Sequence, residues 1–513
     1  MKRRSGAELV PSKNAGTRES LSEKKQAVVV GGGLAGFASA LVMAERGVEV
    51  VILEKKHYLG GRAGAWTEHL DDGTPFEMER GFHAFFRQYY NLRRFLEKID
   101  PGLHNLLPLE DYPLFGPSGD PESFSGLPNK VPWNVLELIR RTPRMGFFDM
   151  LGVNKRRALQ MFAYDPVKTY ARFDHMTAKE YLDSLLFPPD ARDMLFNVFA
   201  HSFFNPEDKF SAADLLMMFH FYFIGNPEGL IFDVLKEPFS TALWQPIERY
   251  AKQRSVRILT ERSVSSIEMT DDNRFRVHME NSGKTADEPA SEPVEGDVCV
   301  LAVDVPSLKS IIENSPALNS PRSFRASIDS LDVTLPFAVW RLWTAKPPNP
   351  DRAPFAGTTN LGYLDNISIY ERFEGESRRW SLQTGGSVVE LHGYAVPEEA
   401  DEEEIKANLK TNLERVYPEM RSVEIMEDLF ILARDCPSFK PSMTSYRPGV
   451  ETPIKGLALA GDFVRLEFPS ALMERAVASG FMAANHLMSP WNLRPEPIYR
   501  IPQKGFLSWM PGL

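Results

Sequence analysis

Hydrophobic and polar positions near the N-terminus fall into blocks that predict a strand, a helix and a second strand. Gln26–Val30 is rich in valine and predicts a buried parallel strand, and Leu34 to Arg46 has the small and apolar residues of a packed helix. Gly47 predicts the end of that helix, and Val48 to Glu54 predicts the next strand. The three segments make a complete βαβ unit.

The remainder of the chain predicts a discontinuous first domain with a second domain inserted into it. Proline and glycine mark a loop over residues 102–132, residues 134–225 have a mainly helical pattern, and Val256 to Glu280 shows short alternating strands. Gly456 to Asp462 and a helix from about Ala471 to Met488 return to the α/β pattern. We therefore predict an α/β fold with a Rossmann-type nucleotide-binding domain and an inserted α+β substrate domain.

Changes in pattern along the chain also set the expected domain boundaries. The polar N-terminus has no apolar core and is expected to be a disordered leader, not a secretory signal. The expected bounds are 1–25 for the leader, 26–115 with 230–310 and 440–490 for the nucleotide-binding domain, 116–229 with 311–439 for the substrate domain, and 491–513 for a C-terminal tail.

Composition narrows the classes of protein to which the chain can belong. It has 513 residues, of which 43% are hydrophobic, and its only cysteines are Cys299 and Cys436. A chain of this size buries a large core, and two cysteines make neither a disulfide framework nor a zinc site. The 59 basic and 69 acidic residues disfavour a nucleic acid partner, because phosphate binding needs concentrated positive charge. An intracellular, cytoplasmic protein without a bound metal is expected.

The uncharged run from Ala27 to Ala44 has the length at which a membrane-spanning helix becomes a candidate. Gly31 to Gly33 divide it into a strand and a helix, so no membrane span is predicted. Gly31, Gly33 and Gly36 of this run also fit a G-x-G-x-x-G pattern, which is typical of dinucleotide-binding proteins. Its alternative is a glycine-rich turn in an ordinary parallel sheet.

Each glycine of this pattern has a physical role in binding a diphosphate. Gly31 permits the tight turn after the strand, Gly33 lets the diphosphate approach the backbone, and Gly36 lets the helix pack closely on the strand. Leu34 and Ala35 open the helix, whose N-terminus attracts an anion. The sequence therefore predicts a nucleotide diphosphate at the start of this helix.

Glu54 and a second glycine pair follow the next strand. Glu54 is placed to accept hydrogen bonds from a ribose, which disfavours NADP at this site. Gly60, Gly61 and Arg62 come shortly after it and resemble the second fingerprint of the flavin-containing amine oxidase and carotenoid desaturase superfamily. The resemblance implies that the glycines lie against the FAD diphosphate and flavin, where the arginine adds positive charge. A surface turn with an exposed arginine is the alternative.

A segment near the C-terminus resembles the third FAD motif of the same superfamily. Gly461 and Asp462 end a predicted strand, and Leu472 and Met473 open the helix after it. The resemblance implies that the aspartate binds the ribityl chain and that the helix N-terminus stabilises negative charge on the flavin. Val264 matches the position that meets adenine in these proteins, and a plain core strand would have the same sequence there. The three motifs imply FAD as the cofactor.

A string of aromatic residues after the second motif indicates the substrate. The segment from Glu79 to Arg93 contains Phe85, Phe86 and Tyr89, which suit the π-rich wall that a polyene needs. This string resembles the β-carotene desaturase/methyltransferases that make aromatic-ring carotenoids, and the similarity runs from about residue 26 to 490. The resemblance implies an oxidoreductase that desaturates a β-ionone ring with a 1,2-methyl shift, giving an aryl carotenoid.

A second aromatic segment shares this resemblance. Residues 217–230 include Phe219, Phe221 and Phe223, which are expected to line the carotenoid site. The alternative is a stripe at helical spacing that packs into the core of the protein. Both interpretations are open from the sequence.

The expected mechanism needs an oxidant, a cation-stabilising wall and a base. Hydride abstraction beside a conjugated chain leaves a delocalised cation, which permits the methyl migration and is stabilised by aromatic faces. Proton loss then needs a base, for which the candidates are His83 and Glu79, with Arg87 as a further candidate catalytic residue. Gly81, Phe82 and His83 are also expected beside the flavin, and His83 has the alternative of a hydrogen-bonded core histidine.

Other functions on the same scaffold are an acyclic carotene desaturase or isomerase, a flavin amine oxidase, and a non-enzymatic GDP-dissociation inhibitor. The intact glycine and aspartate motifs argue against the inhibitor. No feature of the sequence assigns the electron acceptor.

A basic and apolar segment is a candidate for contact with a membrane. Trp133 to Gln160 contains aromatic and aliphatic residues among Arg140, Arg141, Lys155, Arg156 and other cations, with only two acidic residues. Such a composition suits an anionic membrane interface, so peripheral, monotopic association is expected. An amphipathic helix packed on the protein's own core is the alternative.

Overall fold

The computed structural model arranges the chain around two main β-sheets. It describes residues 6–12, 16–109, 111–117, 119, 121–123, 126, 128, 130, 133–141, 152–188, 192, 204–227, 229–281, 292–511 and 513. Residues 142–151 of the predicted membrane segment lie outside this described part of the chain.

Five parallel strands form the sheet that we call the nucleotide sheet. They lie in the order Arg257–Leu259, Glu49–Leu53, Gln26–Val30, Val298–Leu301 and Leu457–Leu459. Their valine and leucine side chains are mostly buried because helices cover the parallel strands. The sheet therefore joins segments that are far apart in the sequence.

Two helices that pack on this sheet also pack on each other. Leu34–Ala44 is buried along its whole length, and it crosses Leu472–Met488. Gly480 lies at the crossing, where a Cβ atom would overlap the carbonyl oxygen of Ala35. The helices predicted from Leu34 and from about Ala471 are thus observed, with the first ending two residues before its predicted end.

Seven strands form the second sheet, which we call the large sheet. They lie in the order Ile425–Ala433, Phe337–Thr344, Ser387–Gly393, Asn366–Ile369, Phe355–Thr358, Pro113–Phe115 and Pro121–Ser123. Neighbours are antiparallel except for the parallel pair Phe355–Thr358 and Pro113–Phe115. Phe337–Thr344 and Ser387–Gly393 are buried at every position, so the centre of this sheet is inside the protein.

Smaller sheets connect these two. They contain the strands Phe85–Phe86, Phe232–Leu235 and Leu106–Leu109, the hairpin Ala65–His69 with Pro75–Glu79, and the strands Arg262–Met269, Phe275–Asn281 and Val294–Gly296.

The remaining helices surround the sheets. In chain order they are Tyr90–Glu97, Trp133–Arg141, Lys155–Gln160, Lys168–Phe173, Ala178–Asp183, Ala212–Phe219, Gln245–Lys252, Val305–Glu313, Arg322–Asp329, Gly375–Thr384 and Glu402–Val416. Ala212–Phe219 continues as the π-helical segment His220–Ile224.

The two ends of the chain pair with each other. Glu8–Leu9 forms an antiparallel pair with Tyr499–Arg500, and the backbone N–H of Arg18 donates to the carbonyl of Asn492 at 3.0 Å. The prediction of a disordered leader is therefore wrong for residues 6–12 and 16–25, because the C-terminal tail supplies hydrogen-bond partners that a local pattern does not reveal.

Within the described residues, no helix has both the length and the hydropathy that crossing a membrane requires.

The helix crossing at Gly480 gives a test of the fold. Gly480→Ala should lower stability by about 1–3 kcal/mol, because the new methyl group displaces a backbone carbonyl that cannot rotate away. Chemical denaturation measures the change. Gly449→Ala is the matched control, since a Cβ atom there meets no atom within 4 Å. Equal midpoints for the two variants would show that the helices do not cross at this contact.

Candidate active site

A single large cavity extends from the nucleotide sheet to the large sheet. Its volume is about 770 Å³, and its walls come from the carboxyl ends of the nucleotide-sheet strands, the segment after Glu79 and the inner face of the large sheet. Sites in α/β proteins form at the carboxyl ends of parallel strands, because the loops there are free to surround a ligand. The cavity thus unites residues from both halves of the predicted fold.

The first glycine motif forms one end of the cavity. Gly31, Gly33, Leu34 and Ala35 line it, as the sequence predicts. Gly36 does not line it, and a Cβ atom there would overlap the carbonyl oxygen of Gly31. Its role is therefore the close packing of the helix, which is the third role that the motif assigns to glycine.

The second glycine motif lies directly against the first. Gly33 and Gly60 form a parallel bridge, and the N–H of Gly60 donates to the carbonyl of Gly32 at 2.8 Å. Gly60, Gly61 and Arg62 all line the cavity. A Cβ atom on Gly33 or Gly61 would have no neighbour closer than 3.7 Å, so bare backbone faces open space on both sides.

Glu54 closes the same end of the cavity. Its carboxylate accepts the backbone N–H of Gly32 at 2.7 Å and that of Lys56 at 2.9 Å. Burial raises the pKa of Glu54, and these two hydrogen bonds oppose the rise. Val264 also lines this end. The predicted ribose and adenine positions therefore share one region of the cavity.

The C-terminal motif completes the middle of the cavity. Gly461, Asp462, Leu472 and Met473 line it. Arg62 donates two hydrogen bonds to the Asp462 carboxylate, at 2.8 and 2.5 Å. Burial disfavours the Arg62 charge, but Asp462 raises its pKa well above the ordinary value, so the two side chains form a neutral pair. These groups offer a carboxylate and a guanidinium to one ligand.

This constellation fits a flavin dinucleotide. The bare glycine backbone and the N-terminus of Leu34–Ala44 suit a diphosphate, Glu54 suits a ribose, and Asp462 suits a hydroxylated chain. Among the described residues, no group of three or more His, Cys, Asp or Glu side chains could hold a metal ion.

Comparison with known proteins agrees with this assignment. Residues 34–488 match the family described as flavin containing amine oxidoreductase. The chain belongs to this family. The predicted superfamily is therefore confirmed, and the protein is a flavin-dependent oxidoreductase.

Relatives within the family are similar over nearly the whole chain. The carotenoid phi-ring synthase of Streptomyces griseus is 40% identical, covering 97% of this chain and 94% of its own. That of Chlorobaculum tepidum is 28% identical, covering 96% and 92%. The zeta-carotene desaturase of a Synechocystis species is 23% identical, covering 90% and 96%.

Solved structures share the fold. Putrescine oxidase bound to putrescine has a TM-score of 0.65 at 16% identity, covering 91% of this chain and 99% of its own. Cyclohexylamine oxidase from Brevibacterium oxydans has a TM-score of 0.64 at 13% identity, covering 91% and 100%. The predicted two-domain amine oxidase-like fold is thereby confirmed.

Beyond the flavin motifs, aromatic rings form the wall of the cavity. Phe82 stacks on Phe355 with ring centroids 4.5 Å apart, and Phe232 packs edge-on against both at 5.8 and 5.6 Å. The hydroxyl groups of Tyr89 and Tyr222 are 2.7 Å apart and so satisfy each other. The full set of aromatic residues that line the cavity is Tyr58, Trp66, Phe82, Phe86, Tyr89, Tyr112, Phe204, Tyr222, Phe232, Phe337, Phe355 and Tyr394.

Four residues predicted to line the substrate site lie in the core instead. Phe85 is fully buried and packs on Phe239 at 6.0 Å, and Phe219 stacks on Phe223 at 4.9 Å. The residues that line the cavity do not include Phe85, Phe219, Phe221 or Phe223. The core alternative is correct for the second segment, because its π-helical turn brings only the intervening Tyr222 to the cavity.

Glu79 and Arg87 are not placed for catalysis. Glu79 accepts the backbone N–H of Phe239 at 2.7 Å, and Arg87 pairs with Asp233 at 2.9 Å. Burial raises the pKa of Glu79 to about 8. Neither side chain lines the cavity, so the structure does not bring these two candidates to the site. Gly81 also does not line it, because His392 occupies the adjoining space.

His83 does line the cavity, next to Phe82. Its Nδ1 lies 2.6 Å from the carbonyl oxygen of Gly81, so Nδ1 carries a proton and donates it. Burial lowers the pKa of His83 to about 4, and the ring is neutral at pH 7. It remains a flavin-side contact with little basicity.

The structure also shows a cluster of polar side chains beside the cavity that the sequence analysis does not predict. Glu390, His392 and Tyr394 lie at alternate positions of one strand and its end, and the last two line the cavity with Asn366. The signal was a polar residue at every second position of an otherwise Val- and Leu-rich strand, because such residues share one face.

The glycine at the helix start gives a test of the cofactor site. Gly33→Val should fold, because Gly33 has an extended backbone (φ −87°, ψ −176°) that valine adopts easily. Its side chain would fill the diphosphate space and weaken flavin binding by more than about tenfold, or about 1.4 kcal/mol. Visible flavin absorbance relative to protein absorbance measures occupancy. Gly449→Val, away from the cavity, serves as the control, and full occupancy in the Gly33 variant would refute this placement.

Proposed function

We propose that the protein uses FAD to convert the β-ionone ring of a carotenoid into an aromatic ring, with migration of one methyl group to the neighbouring carbon. The observation that carries the proposal is an aromatic-lined cavity continuous with the flavin-binding end. The 40% identity to a carotenoid phi-ring synthase supports the ring reaction, and the desaturase of acyclic carotenes is a more distant relative at 23%.

The chain's own residues have three tasks in this reaction. They must hold the ring beside the cofactor, stabilise positive charge and exclude water. A bound FAD supplies the capacity to accept a hydride from a ring C–H bond. Phe82, Phe232 and Phe355 line the cavity, and aromatic rings stabilise a neighbouring positive charge such as the carbocation that remains on the substrate.

The overall reaction removes four hydrogen atoms from each ring, as two hydrides and two protons. Hydride loss leaves a cation, the methyl group moves with its bonding electrons, and proton loss forms a ring double bond. The two oxidations balance only if an external acceptor takes up two electrons for each hydride removed. Aromatic walls favour the shift because they supply no nucleophile that would trap the cation.

Expression in a host that accumulates β-carotene tests this function directly. Chromatography of the pigments should show β-carotene replaced by products with one or two aromatic rings, and the Gly33→Val variant should leave β-carotene intact. Desaturation of an acyclic carotene instead would favour the alternative activity. A flavin-loaded protein that changes neither pigment would contradict both.

We further propose that the protein works on the cytoplasmic surface of a membrane, from which a carotenoid must be drawn. Four exposed apolar residues, Leu159, Val167, Phe506 and Trp509, form a surface that we call the docking patch. Two backbone hydrogen bonds join the segments that carry them, from Gly505 to Tyr164 and from Leu507 to Phe162. The exposure of Val167 and Trp509 is 75% each, which is unusual for such side chains in water.

Charge around the docking patch suits anionic lipid. Lys155, Arg156, Lys168 and Arg172 are exposed on the helices beside it. Apolar anchors ringed by cations favour binding to an anionic bilayer surface. Arg140 and Arg141 of the predicted membrane segment instead donate to Glu137, at 2.6 and 2.8 Å. Both cysteines are free thiols, which is consistent with a reducing compartment.

Flotation with liposomes tests the docking patch. The wild-type protein should float with vesicles that contain phosphatidylglycerol, and a Val167→Ser, Trp509→Ser double variant should stay at the bottom because its anchors are lost. Leu382→Ser is the control, since Leu382 is 81% exposed on a helix elsewhere. Sedimentation of the wild type, with or without anionic lipid, would overturn this part of the proposal.

A further inference from the structure

Three side chains of one strand form a continuous hydrogen-bonded chain that ends in the cavity. His392 Nε2 lies 2.7 Å from a carboxylate oxygen of Glu390, and its Nδ1 lies 2.9 Å from the hydroxyl of Tyr394. Glu390 is fully buried behind the other two, whereas His392 and Tyr394 line the cavity. These hydrogen bonds thus lead from the cavity to the buried Glu390 carboxylate.

When the His392 ring is neutral, the contacts fix the direction of each of these hydrogen bonds. Burial disfavours the Glu390 charge, but Arg341 and His392 lower its pKa to about 2, so it is a carboxylate that only accepts. His392 Nε2 must therefore carry the proton between them. Nδ1 is left with a lone pair, and the Tyr394 hydroxyl donates to it. That hydroxyl accepts in turn from the amide of Asn366, at 2.9 Å.

Glu390 is held in place from three other sides. Arg341 donates to one carboxylate oxygen at 2.8 Å, and the hydroxyl of Tyr370 and the backbone N–H of Phe82 donate to the other at 2.9 and 3.0 Å. The carboxylate cannot turn away from His392 without breaking these bonds. It is therefore prepared to stabilise positive charge on that ring.

The chain of hydrogen bonds lies at the flavin end of the cavity. Phe82, whose backbone binds Glu390, is itself a wall residue, and a Cβ atom on Gly81 would lie 2.7 Å from His392. Cys436 also lines the cavity, where burial raises the pKa of its thiol and the charge of Arg62 from the second glycine motif opposes the rise. Tyr394, Cys436 and Arg62 thus all border the same cavity.

We propose that Tyr394 accepts the proton that the substrate ring loses and passes its own proton to His392. The step rests on the proposed function. A C–H bond of the cationic ring breaks, its electron pair becomes the ring double bond, and the proton binds to the Tyr394 oxygen. The proton already on that oxygen moves to His392 Nδ1, and the resulting imidazolium faces the Glu390 carboxylate. No electrons leave the substrate in this step, so it needs no oxidant.

Tyr394 is the catalytic residue in this relay, and His392 and Glu390 act through it. This arrangement is better suited to proton removal than His83, whose Nδ1 donates to Gly81 and whose pKa is near 4. The hydroxyl transfers a proton without ever becoming a phenolate, since it gains one proton as it gives up another.

Steady-state kinetics of the flavin-loaded protein with β-carotene in liposomes tests the relay. Tyr394→Phe and His392→Gln should each lower kcat for aryl product by about 10²-fold, the usual contribution of a positioned base. KM and flavin occupancy should stay within about twofold of wild type, because the ring and the cofactor contacts remain. The wild-type rate should also be lower in D2O, and Tyr394→Phe should lose this difference because the exchangeable proton is gone.

Tyr417→Phe is the matched control. Tyr417 is a buried tyrosine outside the cavity whose hydroxyl has no hydrogen-bond partner in the described part of the chain, so the variant should keep full activity. Wild-type kcat in Tyr394→Phe, or a parallel loss of flavin with kcat, would overturn the relay and leave the proposed function standing. A flavin-loaded wild type that makes no aryl product would overturn both.

Discussion

The direct backbone contact between two glycine segments fixes the geometry of the whole cavity. Gly60 bridges to Gly33 in a backbone conformation that only glycine adopts easily, with φ of 112°, and a Cβ atom on Gly60 would overlap Trp244. The hydrogen bond from Gly60 to Gly32 sets the spacing of the two segments. The bridge brings Arg62 next to Asp462 and directs the following segment toward the large sheet. The position of the aromatic wall relative to the cofactor therefore follows from a contact that only glycine permits.

Charge pairing is the second constraint on a cavity built for a hydrocarbon. Arg62 pairs with Asp462, Arg80 with Asp435 at 2.6 Å, and Arg341 with Glu390. A buried ion without a partner costs several kcal/mol, so each of these charges is neutralised within the protein. Beside the aromatic wall, the substrate consequently meets rings and neutral pairs.

The pattern of residues along the chain predicts those features of the fold that depend only on residues close together in the sequence. The βαβ unit, the glycine motifs and the C-terminal strand and helix each have a hydrophobic period and a terminating glycine or acid within a short segment. The sequence leaves the surroundings of Phe219 and Phe223 open, because a stripe at helical spacing has the same pattern whether it faces a cavity or the core. Glu79 and Arg87 are separated from the cavity by Phe239 and Asp233, partners more than a hundred residues away, which no local rule identifies.

The discontinuous nucleotide sheet has a consequence for biosynthesis. Its central strand emerges early from the ribosome, but the strand Leu457–Leu459 and the helix Leu472–Met488 emerge near the end, after the large sheet has been completed at Ala433. The large sheet can therefore fold while the first βαβ unit still lacks its packing partner. The cavity at the carboxyl ends of these strands is complete only after that late helix emerges, and until then the helix Leu34–Ala44, buried along its whole length in the folded protein, lacks the partner that covers it.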